Sequence, residues 1–250
     1  ASHNPIDYNG MKIVGCGSKP LSDDEFRSIK DLAGKNNFSQ PQNLGTTLNK
    51  KEVARAAYVE KVLGFVDCAN LKPLKIVINS GNGAAGPTVD AINKKLKEKG
   101  LVTNFILLHH DPDQSFPNGI PNPLLKENRS STADTIVAEE ADFGVAFDGD
   151  FDRCFFFDHF GNFIPGEYML GLLAEVFLTK EKGAKIVHDP RVIWNTIDVV
   201  GKCGGQAVVS KTGHAFVKAA MRDTGAIYGG EMSAHHYFRD FAYCDSGIIP

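Results

Sequence analysis

Asp148-Gly149-Asp150-Phe151-Asp152-Arg153 places three carboxylates and a fixed cation between two apolar runs, Gly144-Val145-Ala146-Phe147 and Cys154-Phe155-Phe156-Phe157. Short apolar runs on either side of a polar turn read as buried strands, with the turn held at the rim of a sheet where binding residues are carried. Carboxylates at alternate positions can converge on one hard cation, and Mg²⁺ is bound by a few carboxylates together with phosphate oxygens of a substrate. Asp148, Asp150 and Asp152 are therefore candidate Mg²⁺ ligands, and Arg153 is left free to grip a phosphate through its planar fork of donors.

Two other readings of this stretch compete. A calcium-binding EF-hand loop also starts Asp-x-Asp-x-Asp, but it needs Gly at its sixth position and a bidentate Glu at its twelfth. Arg153 and His159 stand there, so that reading fails. The other is a solvated acidic turn, which charge runs commonly are.

The start of the chain decides between them. Ala1-Ser2-His3-Asn4-Pro5, followed by Tyr8-Asn9-Gly10 and Lys12, precedes the acidic stretch, and Gly230-Glu231-Met232-Ser233-Ala234-His235 follows it. Together, and in this order, these segments resemble the α-D-phosphohexomutase family, whose members move a phosphoryl group between the 1- and 6-positions of a hexose. The resemblance spans essentially the whole chain.

It implies an α/β fold of tandem domains, each a mixed sheet sandwiched by helices. Residues 1–46 are expected to be the C-terminal remnant of a first domain with the phosphoserine loop, 47–160 a second domain with the metal loop, and 161–250 an incomplete third with the sugar loop. The chain starts on the nucleophile loop and stops at Pro250. It is thus expected to be a fragment lacking the start of the first domain and a C-terminal domain that in the family grips the distal phosphate.

The resemblance also implies roles. Ser2 bears the phosphoryl group, and one of its oxygens joins Asp148, Asp150 and Asp152 around Mg²⁺. His3 and Lys12 serve acid–base chemistry and Arg153 steadies the phosphoryl group. Glu231, Ser233 and His235 read the sugar, and Arg191, Lys211, Thr212, Gly213 and His214 line the third-domain crevice. Lys12, with its pKa lowered beside other cations, is expected to be the base. A carboxylate such as Glu231 can accept from two adjacent hydroxyls, which suits a site that must hold the sugar in both orientations. A hexose 1,6-bisphosphate is the implied intermediate and activator. Met232 and the continuation Ala234-His235-His236-Tyr237-Phe238 look most like bacterial members acting on mannose phosphates, with glucose phosphates as the alternative. A sugar-phosphate-binding module without catalysis is the competing class, disfavoured by the presence of Ser2 and Lys12.

Composition fits a small phosphorylated substrate. A net charge of −3 with interspersed signs gives no basic stripe for nucleic acid. No apolar run is long enough to span a bilayer, and no charged segment followed by an apolar one of the leader type is found in the sequence. Cys16, Cys68, Cys154, Cys203 and Cys244 show no metal spacing and read as small apolar residues in a reducing compartment. A cytoplasmic location is expected, with no membrane or protein partner evident.

Along the chain, Met11–Val14 is a strand candidate, and Ser22 with Glu25 a capping box ahead of a helix with Phe26, Ile29 and Leu32 on one side. This segment holds too little apolar material for a core of its own, since chains below about 40 residues usually need outside support. A helix is expected over 51–63, followed by a strand over 74–79, a glycine-rich turn over 80–86, a helix over 87–99 and a strand over 101–108. Gly81, Gly83 and Gly86 match Gly-x-Gly-x-x-Gly, but no acidic residue ends the next strand, so tight packing is preferred to dinucleotide binding. His109 and His110 read as polar surface. A long Pro/Asn-rich connection leads to a helix capped by Ser131 with Asp134 in its box. A second βα series follows the turn at Phe160-Gly161-Asn162, with helices over 167–178, 192–200 and 214–221 and strands over 184–188, 206–210 and 226–229. Asp189-Pro190-Arg191, Lys211 to His214 and Glu231 to His236 leave these strands, and open α/β sheets bind ligands at such ends. These exits are expected to line one crevice, and Asp245–Ile248 to open a further helix.

Overall fold

The computed structural model describes residue 8, residues 10–36, 38–39 and 43, and residues 45–250. Ser2 and His3 lie outside the described residues.

The first helix, α1 (Asp23–Lys35), begins at the capping box: the Glu25 amide donates to Ser22 Oγ at 3.3 Å and the Ser22 amide to Glu25 Oε2 at 2.8 Å. Phe26, Ile29 and Leu32 are exposed, as befits a segment without its own core. Met11–Val14 does not form a strand. Val14 makes only an isolated bridge to Pro20, because a helical turn at Cys16–Ser18 folds the chain back at once.

From α2 (Lys51–Leu63) onward the chain builds two sheets. The first comprises β1 (Lys75–Asn79), α3 (Gly86–Glu98), β2 (Asn104–Leu108), α4 (Ser130–Ala138), β3 (Phe143–Phe147), β4 (Cys154–Phe157) and β5 (Phe163–Ile164). The second comprises α5 (Gly166–Lys180), β6 (Lys185–His188), α6 (Trp194–Lys202), β7 (Gln206–Val209), α7 (His214–Thr224), β8 (Tyr228–Gly230), β9 (His236–Phe238) and β10 (Cys244–Asp245).

Both sheets have one topology. Strand order is β2-β1-β3-β4-β5 in the first and β7-β6-β8-β9-β10, read from the other edge, in the second. In each, the first strand is central to three parallel strands and the last two run antiparallel. The acidic stretch is the β3–β4 connection and Glu231–His235 the β8–β9 connection, so the two loops hold the same topological position. Parallel strands are buried on both faces, as Lys185-Ile186-Val187-His188 is from its second residue. One core cluster joins Leu170, Leu173, Ala174 and Leu178 of α5 to Ile186, Tyr228 and Phe238 of the second sheet, and Val62 of α2 packs into it. Val59 and Leu63 on the same helix pack with Leu96 of α3, so α2 ties the two units together.

Two further expectations are corrected. The fourth helix starts at Ser130 after Arg129, with no side-chain cap, so Ser131 lies inside its first turn. Asp245–Ile248 is not helical. Its backbone donors are used across the chain instead, Ser246 N to His236 O at 3.1 Å and Gly247 N to Phe151 O at 3.2 Å, which leaves none for a helical ladder. The glycine-rich turn packs as expected: a Cβ at Gly86 would collide with His110 O, and one at Gly83 would lie 2.6 Å from Gly149 O. All five cysteines are free. Among the described residues no helix is long and apolar enough to cross a membrane.

Candidate active site

The turn between β3 and β4 is tight because Phe151 adopts a left-handed backbone (φ 49°) and its amide donates to Asp148 O at 3.1 Å. This folds the alternate carboxylates inward. One oxygen from each of Asp148, Asp150 and Asp152 lies within 4.8 Å of the others. Asp148 is fully buried, Asp152 partly exposed and Asp150 exposed. Burial raises the Asp148 carboxyl to about 7, helped by Asp152 and Asp150 and opposed by Arg153. Hard oxygen donors in this crowding suit a divalent cation of the Mg²⁺ type, which would relieve the repulsion.

Arg153 does not stand free. It is buried, its Nε donates to Asp148 Oδ2 at 2.9 Å and its amide to Asp148 Oδ1 at 3.2 Å. Lys12 reaches the same loop, with Nζ 3.2 Å from Asp152 Oδ2. Its pKa was expected to be lowered by cations and is instead raised: burial lowers it, but the carboxylates of Asp152, Asp245 and Asp150 outweigh that.

The second hairpin loop closes on the first. His235 Nε2 lies 3.5 Å from Asp152 Oδ1, His235 Nδ1 lies 3.4 Å from Glu231 Oε2, and the Arg153 and His235 backbones form an antiparallel bridge. Burial disfavours the imidazolium, but Asp152 and Glu231 override it and raise His235 to about 9. Ser233 Oγ sits 3.0 Å from His235 Nδ1.

Glu231 is 2% exposed and already well satisfied. Its Oε1 accepts from Gly213 N at 2.9 Å and its Oε2 from the Tyr237 hydroxyl at 2.5 Å. Burial would raise its pKa, but His235, Tyr237 and Gly213 hold it down at about 2. With about four lone-pair sites on a carboxylate, these partners leave room for a single further donor, not for two adjacent hydroxyls.

The three strand exits meet as expected. Asp189, fully buried after β6, accepts from Arg191 N at 2.8 Å, Nε at 3.1 Å and Nη2 at 2.5 Å, and from Met232 N at 3.2 Å. Gly213, with φ 117°, opens α7 and links it to Glu231. Lys211 and Thr212 are exposed, with Lys211 Nζ 5.7 Å from the Phe216 ring centroid. Burial, with Lys12 and Lys218 adding to it, lowers the His214 pKa. Asp189 is named in the sequence only as part of a strand exit, with no role of its own, and Tyr237 and the Lys218–Asp245 ion pair (2.5 Å) carry no expectation there. Asp189 had a signal as the first polar residue after a buried strand, whereas Tyr237 reads as ordinary core.

This arrangement defines an α/β protein in which two copies of one sheet topology turn equivalent hairpin loops toward a shared acidic, metal-competent site. The model for phosphoglucomutase/phosphomannomutase alpha/beta/alpha domain II matches residues 56–161, and that for domain III matches residues 165–250. The chain belongs to this family, the α-D-phosphohexomutases.

Along its whole length it is 58% identical to a phosphomannomutase of Vibrio cholerae serotype O1, covering 54% of that protein. It is 52% identical to a protein of Xanthomonas campestris pv. campestris named for phosphohexose mutases, again covering 54% of it. The crystal structure of a phosphoglucomutase/phosphomannomutase family protein from Burkholderia thailandensis superposes with a TM-score of 0.86 at 34% identity, over 99% of this chain and 52% of that one. The chain spans about half the length of the curated relatives it matches.

Proposed function

We propose that this chain carries the metal and sugar loops of a cytoplasmic phosphomannomutase, interconverting mannose 6-phosphate and mannose 1-phosphate through a phosphoserine and a hexose 1,6-bisphosphate. The observation that carries this reading is the 3.5 Å approach of His235 to Asp152, which joins the two loops in one site. The 58% identity to the Vibrio cholerae phosphomannomutase favours mannose over glucose. The division at residues 46 and 160 is retained as part of the proposal, with the change of sheet falling a few residues later, after β5 (Phe163–Ile164).

Asp148, Asp150 and Asp152 would hold Mg²⁺ with an oxygen of phosphorylated Ser2. When bound, the ion supplies electrostatic stabilisation to a transferring phosphoryl group, whose charge spreads over three equatorial oxygens. Arg153 braces Asp148 and adds positive charge beside that group. In one half-reaction the bond from phosphorus to Ser2 oxygen breaks as a sugar hydroxyl oxygen bonds to phosphorus. The hydroxyl proton passes to solvent water and returns from it in the reverse half-reaction, and the serine oxygen must gain a proton as its bond to phosphorus breaks. Lys12, kept protonated by its carboxylate neighbours, suits the donor of that second proton, and in the reverse half-reaction the same amine takes it back. Glu231 holds His235 and the start of α7, leaving one acceptor for a sugar hydroxyl. Arg191, Lys211, Thr212, Gly213 and His214 meet the sugar's phosphate side, with Ser233 beside the ring.

The test is Mg²⁺-dependent interconversion of mannose 1- and 6-phosphate by the full-length protein, run beside glucose 1- and 6-phosphate and with Ser2→Ala. Conversion favouring mannose and abolished by Ser2→Ala is expected. Preference for glucose would overturn the sugar assignment, and no conversion of either would overturn the catalytic reading in favour of a binding module.

A further inference from the structure

The metal loop is shaped from outside as well as by its own turn. Within its own sheet, Ala84 N donates to Gly149 O at 2.9 Å, and a Cβ at Gly83 would stand 2.6 Å from the same oxygen. From the second sheet, Gly247 N donates to Phe151 O at 3.2 Å. A Cβ at Gly247 would lie 2.7 Å from Arg153 C, Arg153 O and Phe151 O. All three are backbone atoms, which cannot rotate aside as a side chain can.

Gly247 is itself anchored. The anchoring is through backbone: Asp245 pairs with Tyr237 in the β9–β10 ladder, and Ser246 N donates to His236 O. Gly247 lacks the positive φ that would demand glycine for conformational reasons, so close approach is what excludes a side chain there. Any bulk at this position pushes on the Phe151–Arg153 backbone, and through it on the spacing of the flanking carboxylates.

We propose that Gly247 is a positioning residue for the metal loop: the second sheet, through this glycine, sets the separation of Asp148, Asp150 and Asp152. The proposal rests on the reading of those carboxylates as a divalent-cation site. It makes cation affinity a property of both sheets together rather than of the loop alone. Outer groups that orient metal ligands typically affect affinity by about 10- to 100-fold, and a backbone displacement acts on all the ligands at once.

The experiment is a Mn²⁺ titration of the full chain by electron paramagnetic resonance, for the parent, Gly247→Ala and Ser246→Ala, with metal-free thermal unfolding of each. Ser246 lies in the same buried segment, and its hydroxyl faces the Tyr58 hydroxyl and the Ile248 amide. Gly247→Ala is expected to weaken Mn²⁺ binding by about 10-fold or more, while Ser246→Ala binds as the parent does. Parent-like binding by Gly247→Ala, or an equal loss in Ser246→Ala, would overturn the proposal. Should Gly247→Ala not fold, hydrogen exchange of the Gly247 amide in the parent replaces it: slower exchange with Mg²⁺ supports the coupling and an unchanged rate refutes it. A parent that takes up no Mn²⁺ overturns the metal reading and the proposal together, whereas a parent that binds beside an equally competent Gly247→Ala overturns the role of Gly247 alone.

Discussion

His235 Nε2 lies 3.5 Å from Asp152 Oδ1, and this contact closes a chain of charges across both sheets: Glu231 to His235, His235 to Asp152, Asp152 to Lys12. Glu231 and Asp152 share one imidazole, so a change at either loop is felt at the other. The two loops are therefore read as one site.

Removing the carboxylate at the head of this chain should affect folding and turnover together. Glu231→Ala leaves Gly213 N and the buried Tyr237 hydroxyl without their acceptor, which costs about 1–3 kcal/mol. The expected outcome is a lower urea midpoint and mutase turnover lost with either sugar phosphate, while Ser2 still accepts phosphate from a hexose 1,6-bisphosphate. Unchanged stability would contradict the hydrogen-bonding role.

Asp189 pins Arg191 and Met232 N from a fully buried position. Asp189→Asn should raise KM for the sugar phosphate more than it lowers kcat, since it loosens Arg191, which we propose for the substrate side, and leaves the acidic loop intact. Its stability cost should be about 1–3 kcal/mol, the lower end being favoured because Arg191 is partly solvated. Steady-state kinetics with equal effects on both constants would argue against this.

The adjacent histidines give the metal-free chain a stability optimum. His236, fully buried, has its pKa lowered to about 3 by burial and by His235. Its contribution is complete above the unfolded value of about 6.5 and is lost as pH falls toward 3. His235, raised to about 9, has the opposite sign: its contribution is complete below about 6.5 and is lost as pH rises through 9. Urea unfolding across pH should show a maximum near neutrality, with the acid limb flattened in His236→Gln and the alkaline limb flattened in His235→Gln.

Leu170 is fully buried in the cluster that joins α5 to the second sheet. Leu170→Ala should cost about 2–5 kcal/mol through lost transfer energy and the cavity left behind. Chemical denaturation checks the size, and a loss near zero would mean that α5 is not packed as described.

Much of the fold could be read from the sequence, because apolar runs broken by polar turns mark parallel strands and helices well, as in Lys185–His188. What escaped was set by long-range partners. Cys244–Asp245 becomes a strand only because Phe238 and Tyr237 are there to pair with it, and alone the segment looks helical. The convergence of Asp148, Asp150 and Asp152 was legible because the three carboxylates are local. The partners that hold Glu231 were not, since Gly213 and Tyr237 reach it from separate elements. The raised pKa of Lys12 likewise depends on Asp152 and Asp245, which are remote in sequence. Ser131 failed as a cap because the preceding Asn128-Arg129 turn already carries the chain into the helix.

The most direct test of a single site is ³¹P NMR of mannose 1-phosphate with the full-length protein and Mg²⁺, beside Asp150→Asn. Asp150 is exposed, and replacing its carboxylate by an amide removes one candidate metal oxygen without opening a cavity. The account predicts appearance of mannose 6-phosphate with the parent and its loss in the variant, partly restored by higher Mg²⁺. Equal conversion by parent and variant would contradict it.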